Sequence, residues 1–400
     1  MTMPLPQHLF AGLRVLDLTR VMSGPYCTAM LADLGAEVIK IEMPGFGEES
    51  RHFAPHVNGE STYFALLNRG KKSVTVNLKS SDGIALVRDL ARQSDVLVEN
   101  FRPGVMDRLG LGPTTLQADN PRLIVASISG FGQSGPFADW PAFDLVIQAM
   151  SGLMSVTGER GGSATAVGES IADVATGMFA AWGIAAALYD RERTGVGRRL
   201  EVAMLDSVFS MLLTGLSRRL FTDQPIRRVG SRHPETYPVD SFATQNGDIV
   251  LVGFSDAIFR RIGEVIDQPG LADDPRFKTN ADRNAHEEEL RALIAAWAAK
   301  HTREQALSKL READIPAAPV WSFDDLIESG QVEARGLLQA GSNRKLGDIR
   351  LVQQPVQFIG SERIAGMVVP TLGENTEAVL TERLGLDAAR LASLRKAKVI

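Results

Sequence analysis

Cysteine is nearly absent. Cys27 is the only one in 400 residues, so an intramolecular disulfide framework and any zinc site built from several cysteines are excluded. A single thiol fits a reducing compartment, and the expected location is cytoplasmic. Histidine is also sparse, with six in the chain. His52 and His56 have the i, i+4 spacing of helical metal ligands, but Pro55 between them argues against a helix. No metal is expected. Long apolar runs are missing too. The longest, Val174 to Leu188, falls short of the ~18 residues that a membrane helix needs. It contains Gly177 and Gly183 and is closed by Asp190 and Arg191, so it reads as a buried core helix, and no membrane partner is expected. Met1 to His8 shows no basic stretch followed by an apolar one, which predicts no signal peptide. Charge of one sign is lacking as well. There are 43 Lys and Arg against 48 Asp and Glu, scattered along the chain, for a net charge of −5. Nothing there makes a field for nucleic acid.

What is present is ordinary for a globular protein: 44% hydrophobic and 23% charged residues. That is enough to bury a large core, and at roughly 150 residues per domain it predicts two or three domains. The first part of the chain alternates between two periods. Leu13–Leu18, Glu37–Ile41, Ser73–Leu78, Asp95–Val98, Leu123–Ser127 and Arg199–Met204 read as strands. Tyr26–Leu34, Asp82–Arg92, Asp173–Tyr189 and Ser207–Phe221 read as helices. This grammar predicts right-handed βαβ units and a mainly parallel sheet covered on both faces. After Pro225 the pattern changes. Ser241–Thr244 and Ile249–Val252 flank Asn246-Gly247 as a hairpin, followed by helices at Ala257–Ile266, Ala285–Ala299 and Thr302–Glu312. From about Trp321 come turns, short strands near Ile349 and Val356, and C-terminal helices. The expected fold class is α/β, with a Rossmann-like large domain on a parallel sheet and a smaller α+β domain.

Ser23-Gly24-Pro25 sits in the first strand-to-helix loop, at the edge where doubly wound sheets bind ligands. That loop has no Gly-x-Gly-x-x-Gly fingerprint and reads equally well as a tight turn with Pro in the first helical turn. Asn68 to Ser73 is a basic knot that can hold phosphate or simply be solvated, and Lys79 can do the same. Glu99 to Gly104 places an amide, an aromatic ring and an arginine together after a strand, a set suited to a nucleotide. A plain loop reads as well there. Asp173 opens the Ala/Gly-rich helix. The helix dipole alone favours an acid there, but a carboxylate nucleophile attacking an activated acyl group is the alternative, with Ala172, Gly177 and Ala180 leaving room. Ser127 to Pro136 is rich in Gly and Ser without phosphate-loop spacing, and no Gly-x-Ser-x-Gly elbow supports a serine triad.

These segments, with Leu16-Asp17-Leu18-Thr19, Gly35 to Glu42 and Gly168 to Gly177, resemble the family III CoA-transferases over nearly the whole chain. The resemblance implies a large domain from residues 1–224 completed by 326–400, a small domain at 225–325, and two chains interlocked as a homodimer. It implies a coenzyme A thioester as substrate, with no tightly bound cofactor. It places the catalytic aspartate at Asp173. CoA contacts fall at Val21, Met22, Ser23, Val76, Lys79, Asn100, Phe101, Arg108 and Leu109, and a covering loop with oxyanion donors at Gly253. Two departures from formyl-CoA transferase stand out. Met22 replaces a glutamine, and Gly253 is the one glycine where a run of glycines is expected. The α-methylacyl-CoA racemase of the same family pairs its aspartate with an upstream histidine. Here that position is Phe143, which cannot move a proton, so transfer is favoured over racemisation. Relatives pass CoA from succinyl-CoA to short dicarboxylates, which calls for a second-carboxylate cation. Arg51, Lys71 and Arg232 are the candidates.

Overall fold

A computed structural model of the chain describes residues 8–400. It divides into two compact units. One holds the residues up to Ser151 together with Val167–Met211 and Glu333–Ile400. The other holds Gly152–Ala166 and Leu212–Val332. The boundaries expected at 225 and 325 thus lie at 212 and 332, and a segment around 160 joins the second unit. The helix expected over Ser207–Phe221 is two, Met204–Met211 and Leu213–Phe221, and the unit boundary falls at the break between them.

The first unit is built on six strands: β1 Arg14–Asp17, β2 Glu37–Glu42, β3 Lys71–Thr75, β4 Val96–Glu99, β5 Ile124–Ser129 and β6 Arg199–Ala203. Three helices matter for the site: α1 Ser23–Ala32, α2 Ser81–Arg92 and α3 Ile171–Thr194. The strands lie in the order β3-β2-β1-β4-β5-β6, every pair parallel. Leu16 is in register with Ile39 on one side and Leu97 on the other. Alternation along each strand feeds two cores. Leu16, Ile39, Val74, Leu97 and Val125 pack against Leu86, Val87 and Leu90 of α2 and against the C-terminal helices Thr376–Leu384 and Ala388–Lys396. Val15, Val38, Val96 and Ile124 point to the opposite face, against Cys27 and Leu31 of α1 and Ala180, Ile184 and Ala187 of α3. Each fully buried Val or Leu is worth about 1.5–3 kcal/mol, which explains why both faces of these strands are apolar. Asn375 covers the edge of β3. Its side-chain oxygen accepts the Ser73 N–H at 2.9 Å and its own N–H donates to the Ser73 carbonyl at 2.9 Å.

Strand order reverses between β1 and β4, so the loops after these two strands flank the crevice where such sheets bind ligands. α3 is longer than expected, 24 residues. It is the one helix among the described residues long and apolar enough to cross a membrane. It instead packs its small side chains on the sheet and on α1.

The second unit pairs Val239–Thr244 with Gly247–Val252 as an antiparallel hairpin turning at Gln245-Asn246, and Ala317–Pro319 adds a third strand. Helices Asp256–Val265, Glu287–Ala298 and Arg303–Glu312 close a core around Phe242, Ile249, Leu251, Phe259 and Ile294. In the C-terminal part, Leu338–Asn343 and Gly347–Val352 form an antiparallel pair. No strand forms at Val356.

Candidate active site

The loop after β1 is fixed from below. Asp17, at the end of the strand, is fully buried. Its carboxylate accepts the Thr19 N–H at 2.8 Å, the Thr28 hydroxyl at 2.7 Å and the Lys71 ammonium at 3.0 Å, with Lys40 at 3.8 Å. Burial alone would raise its pKa, but Lys40 and Lys71 hold it down to about 2. Lys40 also donates to the Thr19 carbonyl at 2.8 Å. Across the switch point, Asn100 bridges both sides of one residue. Its oxygen accepts the Arg20 N–H at 2.9 Å and its amide donates to the Arg20 carbonyl at 2.8 Å. A Cβ on Gly24 would stand 2.4 Å from the Thr19 side chain, so only glycine lets α1 start this close to β1.

Asp173 lies in the first turn of α3 and is 8% exposed. Ser23 lies beside it in the same cleft, and its hydroxyl and backbone N–H favour the ionised carboxyl. The approach depends on α3 being small where it meets α1: a Cβ on Gly177 would fall 2.6 Å from the Ser23 carbonyl oxygen. Ser170, at the N-cap of α3, makes no side-chain cap. That role is taken at long range by Asp144, whose Oδ1 accepts the N–H of Ala172 at 2.8 Å and of Asp173 at 3.2 Å. Burial, with Asp144 adding a like charge, pushes the Asp173 carboxyl up to about 6 against the pull of the Ser23 hydrogen bonds. Tyr63 stands beside the same group. Its hydroxyl donates to Met22 Sδ at 3.0 Å, and burial, with Asp173 nearby, raises its pKa.

Asp173 opens onto a cleft of about 360 Å³. Val21, Ser23, Asn100 and Phe101, all expected as CoA contacts, line it with Asp173. Trp140, Phe143 and Met204 supply an apolar wall, and Arg20 and Arg102 are its cations. Met22 turns away to Tyr63. Val76 is a core residue, 1% exposed, and its N–H donates to the Glu42 carbonyl at 2.8 Å, so it is not presented to a ligand. Lys79 and Arg108 are exposed, with no ion pair among the described residues. Leu109 packs on the core. Gly253 belongs to the second unit. Its N–H donates to the Pro238 carbonyl at 2.6 Å, so that particular donor is not free for an oxyanion.

The three cations expected for a second carboxylate are all committed internally. Arg51 pairs with Glu42 at 2.6 Å and lies over the Phe64 ring, Lys71 is buried on Asp17, and Arg232 pairs with Glu287 at 2.5 Å. Lys71 and Arg232 meet carboxylates more than fifty residues away, and Arg51 meets Glu42 nine residues back across a strand end and a loop, which no local pattern shows. Asp144 carries no local signal for the same reason. Its segment draws attention to Phe143, while its own role depends on a helix that starts 27 residues later. Gly130-Phe131-Gly132-Gln133-Ser134-Gly135 has dinucleotide-loop spacing directly after β5, but the next helix, Asp144–Met150, begins well beyond it. The strand–loop–helix unit that would cradle a pyrophosphate is therefore missing. Among the described residues, no three His, Cys, Asp or Glu side chains gather as a metal ligand set.

A largely buried carboxylate with a raised pKa, two donors from Ser23 and an adjoining cleft is equipped for nucleophilic attack on an acyl group. Comparison with known proteins points the same way. The profile of CoA-transferase family III matches residues 10–376. An acetyl-CoA:oxalate CoA-transferase of Acetobacter aceti is 42% identical over 89% of this chain and 90% of its own. A succinate–glutarate CoA-transferase of Agrobacterium fabrum is 36% identical over 95% and 97%. A crystal structure of a CAIB/BAIF family protein from Brucella suis superposes with a TM-score of 0.84 at 32% identity, covering 94% of this chain and 99% of that one.

Proposed function

The chain belongs to CoA-transferase family III, and from that premise we propose that it moves CoA from an acyl-CoA donor, succinyl-CoA, to a short dicarboxylic acid through covalent acylation of Asp173. The observation that carries this reading is the burial of Asp173 in the cleft formed by the loops after β1 and β4. In the first step the Asp173 carboxylate attacks the thioester carbonyl, the C–S bond breaks, and a mixed anhydride and CoA thiolate result. The thiolate then attacks the Asp173 carbonyl. This frees the donor acid and leaves an aspartyl-CoA thioester. The acceptor carboxylate repeats the sequence in reverse, and the thiolate takes up the new acyl group. The thioester's energy is conserved as an anhydride, so the exchange needs no ATP and no tightly bound cofactor. Water must be kept out, because it would hydrolyse each intermediate.

Val21, Ser23, Asn100 and Phe101 are assigned to the pantetheine, and Met22, Lys79, Arg108 and Leu109 to more distant parts of CoA. Dicarboxylates are the acceptor class because the acetyl-CoA:oxalate and succinate–glutarate enzymes are close relatives by sequence. Racemisation has less support, since Phe143 stands at the cleft where a second proton carrier is needed. The working form is a homodimer. Met178, Trp182 and Tyr189 form an exposed apolar stripe on α3, with Trp182 72% exposed, and a second copy is the natural cover for it.

The test is an acceptor screen with succinyl-CoA, read by mass spectrometry. Transfer to at least one dicarboxylate is expected. The Asp173→Ala protein should exchange nothing while still binding CoA, and full turnover by that variant would remove Asp173 from the mechanism.

A further inference from the structure

Beneath the loop after β1 lies a buried carboxylate that the exchange itself does not use. Glu48 is 2% exposed. Its Oε2 accepts the Val21 N–H at 3.1 Å and the Ser50 N–H at 2.8 Å. Its Oε1 accepts the Ser50 hydroxyl and the Asn68 amide, the latter at 3.3 Å, and faces the Lys40 ammonium at 3.8 Å. Lys40 is shared with Asp17, which Lys71 also contacts. Val21 is the unusual partner. Its φ is +67°, in the left-handed region that β-branched side chains rarely enter. Such a backbone persists only where its surroundings over-determine it, and such sites cluster where geometry serves function.

The groups that over-determine this loop can be named. Lys40 holds the Thr19 carbonyl, Asn100 holds Arg20 on both sides, and Glu48 holds the Val21 N–H. An ionised acceptor makes the stronger backbone bond, and the charge on Lys40 balances its burial. Two residues on, Ser23 lines the cleft beside Asp173 and abuts Gly177 of the same helix, where its hydroxyl and N–H favour the ionised carboxyl. We infer that Glu48 is a positioning residue: by gripping the Val21 N–H it keeps the loop in its left-handed turn and so aims Ser23 at Asp173. The inference rests on the role proposed above for Asp173.

Glu48→Ala removes the grip, and Glu48→Asp retracts it by one methylene while keeping a charge for Lys40. In each variant kcat is expected to fall at least tenfold. The acid limb of kcat/KM should move to higher pH, because Asp173 loses Ser23's hydrogen bonds while the other groups facing it, Asp144 and Tyr63, are unchanged. Val21→Gly supplies a residue that enters the left-handed region without strain. In a Val21→Gly background, measured against that single variant to cancel the lost Val21 side chain, either Glu48 change should therefore cost little kcat, a rescue of the Glu48 defect. A Glu48 that merely stabilised the fold would give neither the shifted limb nor this rescue. An unmoved acid limb, or a kcat loss as large in the Val21→Gly background as in the wild type, overturns the inference. If the Ala variant does not fold, the Asp variant carries the same readings. A crystal structure of Glu48→Asp tests the geometry without any reaction: Val21 should relax to negative φ, and a retained positive φ also overturns the inference. Absence of exchange in the wild-type protein would overturn the proposed reaction, and the Val21 conformation in Glu48→Asp would still decide whether Glu48 holds the loop.

Discussion

The Asp144 carboxylate accepts the backbone N–H of Asp173 at 3.2 Å, so one acid caps the helix turn from which the other projects. The same placement puts a second negative charge beside the Asp173 carboxyl. Capping of the helix and tuning of the Asp173 carboxyl are two effects of one side chain.

Those effects separate in Asp144→Asn. The amide oxygen can still accept the Ala172 and Asp173 N–H groups, so α3 keeps its cap. The like charge is gone. Exchange needs ionised Asp173, so the wild-type rate should fall as pH drops through about 6. In the Asn variant that limb should lie at lower pH, measured as kcat/KM against pH. A limb that stays in place would show that Asp144 does not set the charge state of Asp173.

Asp173→Asn should stabilise the protein, with a definite pH dependence. The folded carboxyl is raised from 3.8 to about 6. Below pH 3.8 both folded and unfolded states are protonated and nothing is lost. Between these values the penalty grows, and above about 6 the folded state carries all of it, about 3 kcal/mol. The denaturation midpoint of Asp173→Asn should therefore exceed that of the wild type at pH 8, and the difference should vanish at about pH 3. Equal differences at both pH values would contradict the burial of an ionised group there.

Gly177→Ala places a methyl 2.6 Å from the Ser23 carbonyl oxygen and 3.3 Å from the Cys27 nitrogen, both backbone atoms that cannot swing aside. The helices must part. A loss of about 1–3 kcal/mol in stability is expected. Because Ser23 moves with α1, kcat should fall more than the thermal shift alone explains. Unchanged activity in a folded Gly177→Ala protein would show that the α1–α3 approach is not what places Ser23.

Trp182→Glu puts a charge in the middle of the exposed stripe on α3. Light scattering should find the wild type as a dimer and this variant shifted towards monomer or unfolded protein. A dimer of unchanged mass would move the interface elsewhere.

Much of the architecture can be read from the residues. Unbroken apolar strands such as Val38-Ile39 and Val96-Leu97-Val98 require cover on both faces, and short helices between them require parallel pairing. The prominence of Asp173 also comes from local pattern, an acid at the head of a helix made of Ala and Gly. Asp144, Glu48 and Tyr63 have no such signature. Each acts on a residue 29, 27 or 41 positions away, and neither periodicity nor propensity extends that far.

The sequence by itself determined the sheet, the family and the aspartate proposed as nucleophile, because hydrophobic period and local motifs are properties of neighbouring residues. Only the tertiary structure decided which charges are spent inside the fold. Arg51, Lys71 and Arg232 read as free cations along the chain, yet each meets a carboxylate. A charge taken out of water must find its opposite in space, and the fold alone chooses that partner.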